Sequence, residues 1–192
     1  MHSFPNPFRH AETLITMPAQ IPAPSVNAAA PAALLARCPV AKATPLVDAA
    51  GLAKLAGVTS VHVKDERDRM GLGSFKALGA AYVIAHDAAA IGGDDLSGVL
   101  AGRTYVSASA GNHGLSVAAG AKVFGAKAVI YLAEAVPESF AVRLRDMGAD
   151  VVRAGTNYAQ SMETAMADGD ANGWTLLSDT SWDEYYEVSH RL

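Results

Sequence analysis

The sequence predicts an α/β fold built from parallel βαβ units, and three observations carry that prediction. From Thr104 onward, short apolar runs alternate with helix-length stretches. Gly, Ala and Val are abundant while aromatic residues make up only 7% of the chain, which suits helices packed closely on a sheet. Prolines and glycines punctuate the joins, as with Pro137 at the head of one helix and Gly148 at its foot. At 192 residues, 51% of them apolar, the chain can bury one sizeable core or two small ones.

Taken in order, residues 1–37 are rich in Pro and Ala, show no sustained period, and read as an irregular tail over the body or loose from it. Thr44-Pro45-Leu46 leads in extended form to a short helix near Asp48 to Ala56, with Gly57 as its stop. Residues 60–64 alternate as a strand, and 65–73 form a charged loop bounded by glycine. A helix is expected from Ser74 to about Ala90, carrying Phe75, Leu78 and Tyr82 at helical spacing. Thr104 to Ser107 reads as a strand, Leu115 to Phe124 as a helix and Ala128 to Leu132 as a buried strand. A helix from Pro137, a strand over Asp150 to Arg153, a helix over Tyr158 to Asp168 and a strand over Trp174 to Leu177 complete the series. This suggests four parts: the tail at 1–37, the N-terminal part of a larger domain at 38–108, a smaller βαβ domain at 109–177, and a return to the larger domain at 178–192. No closing element follows, which for a doubly wound fold reads as a fragment with an incomplete C-terminal side.

Composition narrows the function. The net charge of −4 is scattered and forms no basic stripe, which argues against nucleic acid as a partner. Cys38 is the only cysteine, so an intramolecular disulfide and a multi-thiolate metal site are excluded. No run approaches the length of a membrane span, and prolines break any secretory-signal layout at the N-terminus. The expected setting is the reducing cytoplasm. The six histidines are dispersed, and no His-Glu-x-x-His, Walker-type phosphate loop or Gly-x-Ser-x-Gly elbow occurs, so the expected metal content is none.

Two stretches carry chemistry. In Gly71-Leu72-Gly73-Ser74-Phe75-Lys76-Ala77-Leu78-Gly79, Ser74 caps a helix and Lys76 falls in its first turn. The positive end of a helix disfavours a cation and favours a neutral amine, the form that attacks a carbonyl to make a Schiff base. A solvated helix lysine is the plainer alternative. The second stretch, Ser109-Ala110-Gly111-Asn112-His113-Gly114, is a strand-to-helix turn offering a hydroxyl, backbone N–H groups and a carboxamide beside a helix N-terminus. Such a turn suits a carboxylate, although an ordinary capped βα turn has the same composition. An imine-forming lysine together with a carboxylate-holding loop are the parts of an amino-acid-handling pyridoxal phosphate site.

With Thr44-Pro45-Leu46, Lys64-Asp65-Glu66 and Ser74-Phe75-Lys76 ahead of Ser109–Gly114, the order of motifs resembles the fold-type II pyridoxal-phosphate enzymes, the group of the tryptophan synthase β chain. The string from Val63 to Tyr82, and Asp179-Thr180-Ser181-Trp182 followed by Glu184-Tyr185, look most like the diaminopropionate ammonia-lyases. The resemblance implies a homodimeric lyase that eliminates ammonia from a small amino acid, 2,3-diaminopropionate, to give pyruvate. It implies Lys76 as the Schiff-base lysine, Asn112 on the cofactor's ring oxygen and Phe75 packed near the cofactor. Ser109, with Gly111, His113 and their backbone, would take the substrate carboxylate. Asp179 would be the acid/base carboxylate, its pKa raised by burial; a helix- or turn-capping aspartate is the structural alternative. Ala110 departs from the aspartate associated with that position in the ammonia-lyases and matches the threonine dehydratase form of the loop, so serine/threonine dehydration is the rival reaction. A further rival is a half-chain without activity of its own, completed by a partner.

Overall fold

The computed structural model describes residues 25–182 and 185–189. Its core is a four-stranded parallel sheet of β3 (Thr104–Ala108), β4 (Lys127–Leu132), β5 (Asp150–Arg153) and β6 (Thr175–Leu176), in the order β5-β4-β3-β6. The helices α4 (Asn112–Phe124), α5 (Glu138–Asp146) and α6 (Tyr158–Asn172) connect these strands in turn. The α/β class and parallel βαβ units expected from the sequence are therefore present.

Strand side chains alternate between faces, and the sheet buries both. Tyr105, Ala128, Ile130 and Leu132 point into a core with α4, α5 and α3 (Ala80–Ile91). Val106, Ala108, Val129 and Tyr131 point the other way, onto Met162 and Ala165 of α6. Ile130, Leu132 and Leu144 have at most 1% of their surface exposed, and each such side chain contributes about 1.5–3 kcal/mol by burial. Helix α3 is pinned to α4 by a polar contact as well: the Ala81 N–H, one of the unpaired donors of a helix start, donates to the buried Ser116 hydroxyl at 3.1 Å.

Outside this sheet, β1 (Leu46–Asp48) and β2 (His62–Lys64) pair antiparallel, with α2 (Ala50–Ala56) between them. This ribbon is tied down by charge. Glu66 accepts from the Thr44 hydroxyl at 2.6 Å and from Arg69 Nε at 2.6 Å, while Arg69 also reaches the Lys42 carbonyl at 2.9 Å and the Thr44 hydroxyl at 2.8 Å. The Arg69 guanidinium and the Thr44 hydroxyl hold the Glu66 carboxyl down at about 2. The motif residues around Thr44 and Glu66 thus form one bonded unit behind the glycine-bounded loop.

Three expectations are corrected. The tail is not irregular throughout: Ala29–Leu35 form α1, which lies against α3, and Arg37 donates to the carbonyls of Gly93 and Asp94. Asn27 caps this helix through the Ala29 and Ala30 N–H groups, a local signal that the Ala/Pro composition masked. The expected helix from Ser74 to Ala90 is two pieces, a 3-10 turn at Phe75–Leu78 and then α3, with a break at Gly79. Finally, a boundary between 108 and 109 would cut β3 from α4, yet β3 pairs with both β4 and β6 and belongs to their sheet. A short helix, α7, follows at Tyr186–Ser189.

Candidate active site

Strand order places the site. The chain leaves β3 for β4 and then β5 on one side, and comes back to β6 on the other side of β3. The loops that follow the neighbouring strands β3 and β6 therefore lie side by side, and in open α/β sheets ligands bind beyond the carboxyl ends of the strands. Here the loop after β3 carries Ser109 to Asn112, and the loop after β6 carries Ser178 and Asp179.

Lys76 reaches this point from a different element. Gly71 and Gly73 take φ of +71° and +80°, a left-handed backbone that glycine adopts without strain, and Met70 between β2 and this turn shares it at +49°. The chain so turned reaches Ser74, whose hydroxyl accepts from the Lys76 N–H at 3.2 Å and caps the 3-10 turn. Lys76 Nζ then donates to Asp179 Oδ2 at 2.6 Å, joining residues 103 apart in sequence. Phe75 beside it is 62% exposed, and Nζ lies 5.7 Å from its ring centre. An open groove of about 430 Å³ is lined by residues 63–67 and 73–75.

The field of a long helix does not act on Lys76 as the sequence suggested, because the lysine sits in a four-residue turn and pairs with a carboxylate. The second correction concerns Asp179. Burial pushes its carboxyl up, but the Lys76 hydrogen bond, the charges of His113 and Lys76 and a backbone N–H together outweigh burial and leave its pKa below the usual carboxylate range. Asp179 stands as a carboxylate, not as the buried acid expected.

In the loop after β3, Gly111 and Asn112 are exposed, and Ser109 accepts from the Gly111 N–H at 3.3 Å. Asn112 opens α4, whose first-turn N–H groups lie at the same end. Gly114 is needed for this shape: a Cβ there would stand 2.6 Å from the Ser109 carbonyl oxygen and 3.3 Å from Leu144. His113, expected at the substrate, turns inward instead. It is 3% exposed, its Nε2–H donates to the Leu177 carbonyl at 2.9 Å, and burial lowers its pKa. Its place on α4, one position past the exposed Asn112, rotates it toward β6. Ala110 is half-buried and packs against the apolar core.

Sequence reasoning passed over Ser178 and the hydroxyl of Tyr185. Ser178 is fully buried; its N–H donates to the Tyr185 hydroxyl at 2.9 Å, which donates in turn to the Leu176 carbonyl at 3.0 Å. Tyr185 stacks on Trp182 at 4.2 Å between ring centres. The signals in the chain were the nearness of Tyr185 to Asp179 and its place in the quoted Glu184-Tyr185 pair. Glu184, quoted with Tyr185 in the motif, lies outside the described residues.

The chain is similar to several known proteins. The diaminopropionate ammonia-lyase of Salmonella typhimurium is 32% identical over 158 residues, covering 76% of this chain and 39% of that protein. The biosynthetic L-threonine dehydratase of Pasteurella multocida is 34% identical over 138 residues, covering 72% of this chain and 25% of that protein. The crystal structure of the Escherichia coli diaminopropionate ammonia-lyase in apo form superposes with a TM-score of 0.74 at 29% identity, covering 84% of this chain and 48% of that one. The chain thus spans about two fifths of the length of the first of these relatives. Among the described residues no helix is long and apolar enough to cross a membrane, and no group of potential metal ligands gathers. Residues 39–189 match the family described as pyridoxal-phosphate dependent enzyme, and the chain belongs to that family.

Proposed function

We propose that the protein is a pyridoxal-phosphate-dependent lyase that eliminates ammonia from 2,3-diaminopropionate. The observation that carries this reading is the 2.6 Å contact between Lys76 Nζ and Asp179 Oδ2 at the crevice between β3 and β6. The residues present fit the cofactor. Lys76 supplies an amine for an aldehyde, and the exposed Asn112 supplies a neutral donor for a ring oxygen. Gly114 lets the α4 start close on the Ser109 backbone where a side chain would not fit. Lys76 would hold the cofactor covalently, Asn112 its ring oxygen, and Phe75 would flank it. When bound, pyridoxal phosphate draws electrons from the α-carbon of an amino acid.

The chain's own residues manage the protons. Lys76 is a nucleophile only after its ammonium loses a proton, and Asp179 Oδ2 is in place to receive it. Once that positive charge is gone, burial is the largest remaining influence on Asp179, and its carboxyl holds a proton more readily. A leaving amine departs best as the protonated species, so the proton on Asp179 would go to the departing β-amine, while the free amine of Lys76 would take the α-proton. The first-turn N–H groups of α4, with Ser109, would hold the substrate carboxylate.

A second reading, dehydration of serine or threonine, is favoured by Ala110. Its methyl group packs on the core and relays no proton, so the loop after β3 brings no second carboxylate. One assay separates the two. Purified full-length protein with pyridoxal phosphate is given DL-2,3-diaminopropionate, serine and threonine in turn, and keto-acid release is measured. Pyruvate from diaminopropionate is expected; pyruvate from serine with none from diaminopropionate overturns the ammonia-lyase reading. Lys76→Ala is expected to lose both activity and the Schiff-base absorbance at about 410–430 nm.

A further inference from the structure

The backbone that leads into Asp179 is held by side chains at three consecutive residues, and none of these contacts belongs to the sheet ladder. Leu177 is the last residue tied to β3, through its N–H to the Val106 carbonyl at 2.9 Å. In an extended chain the carbonyl of Leu177 faces the same edge as its N–H, while the Leu176 carbonyl and the Ser178 N–H face the opposite one. Beyond Ala108 the β3 chain departs as a loop. The His113 imidazole from α4 takes the Leu177 carbonyl there, at 2.9 Å. On the edge of β6 away from β3, one hydroxyl closes the other two groups: Tyr185 accepts from the Ser178 N–H at 2.9 Å and donates to the Leu176 carbonyl at 3.0 Å. Asp179 follows directly. Its loop is tightened further by Ser178, whose hydroxyl lies 2.9 Å from that of Thr180.

We propose that His113 and Tyr185 are positioning residues for Asp179, clamping residues 176–178 from the two edges of β6 so that Oδ2 stays on Lys76 Nζ. Neither need touch the reacting atoms. His113 is buried and its Nε2 is committed to Leu177, and the Tyr185 hydroxyl is committed to backbone on both sides. A 2.6 Å charged contact across two separate elements is sensitive to small displacement, and misplacement of about 1 Å can cost about a hundredfold in rate. The charged or titratable groups facing Asp179 are Lys76 from the 3-10 turn, His113 from α4 and Tyr158 from α6. Loosening the clamp withdraws Lys76 from Asp179 while leaving burial in place, and the Asp179 titration moves up.

The proposal rests on the lyase reading for its kinetic arm only. In the full-length protein, the Asp179 carboxyl is followed by carbon NMR against pH in wild type, Tyr185→Phe, His113→Leu and His113→Gln, and the Ser178 amide by hydrogen exchange. Tyr185→Phe is expected to raise the Asp179 midpoint by about one pH unit and to speed Ser178 exchange. The same variant should lower kcat by about tenfold with little change in KM, and shift the acid limb of the pH–rate profile upward. His113→Gln, which keeps an N–H donor at similar reach, should recover what His113→Leu loses. An unmoved Asp179 midpoint in Tyr185→Phe overturns the proposal, as do equal effects of Gln and Leu at position 113. Should His113→Leu fail to fold, Tyr185→Phe decides by itself, since it removes one oxygen and keeps the ring stacked on Trp182. If wild type releases no keto acid, the lyase reading falls, while the NMR and exchange results still decide the clamp.

Discussion

On β3 and β4 nearly every side chain is sealed from water on both faces of the sheet, whereas every residue of β1 and β2 is exposed. Leu46, Leu52 and Leu55 of the ribbon keep more than half of their surface in solvent, so apolar burial does little for it. What holds the ribbon is the Thr44–Glu66–Arg69 unit, with the Asp65 N–H on the Pro45 carbonyl at 2.9 Å. The sheet is thus held mainly by apolar packing, and the ribbon mainly by charged contacts. Lys76 arrives from the ribbon side and Asp179 from the sheet side. Their ion pair joins a part stabilised by packing to one stabilised by charge.

The largest test of this contrast is Leu132→Ala, which opens a void in a side of the sheet where that residue is 1% exposed. A loss of about 2–5 kcal/mol in denaturant unfolding is expected. Gly114→Ala should come next, at about 1–3 kcal/mol, because the new methyl meets the Ser109 carbonyl and must push the loop after β3 aside. That displacement should also weaken capture of pyridoxal phosphate by the full-length protein, read from the Schiff-base absorbance.

The ribbon should answer to acid instead. The carboxyl of Glu66 is lowered on folding from its ordinary 4.5 to about 2, so its contribution is whole above pH 4.5 and is lost as pH falls toward 2. Hydrogen exchange at the Asp65 amide should therefore quicken over that range while the amides of β3 and β4 stay protected. Glu66→Gln should speed it already at neutral pH and flatten its acid dependence. Leu55→Ala is the smallest effect, within about 0.5 kcal/mol for a side chain 69% exposed. A large loss there would show that the ribbon owes its stability to packing after all, and the contrast with the sheet would fail.

Much of this was legible in the chain because it is local. Strand and helix periods, the Ser74 cap and the β5 limits at Asp150–Arg153 depend on residues a few positions apart. The motif residues Lys76, Asn112 and Asp179 could be singled out for the same reason, since each carries its flanks with it. Tertiary structure decided what depends on distant partners. The break at Gly79 moved Lys76 off any long helix, and the strand order set the β3 and β6 loops side by side. His113 turned inward because its partner is the Leu177 carbonyl, 64 residues on. Asp179 shows the division most plainly. The resemblance of Asp179-Thr180-Ser181-Trp182 to the ammonia-lyase motif marks a candidate, but the direction of its pKa is a balance between burial and an ammonium 103 residues away, and only the folded chain brings the two together.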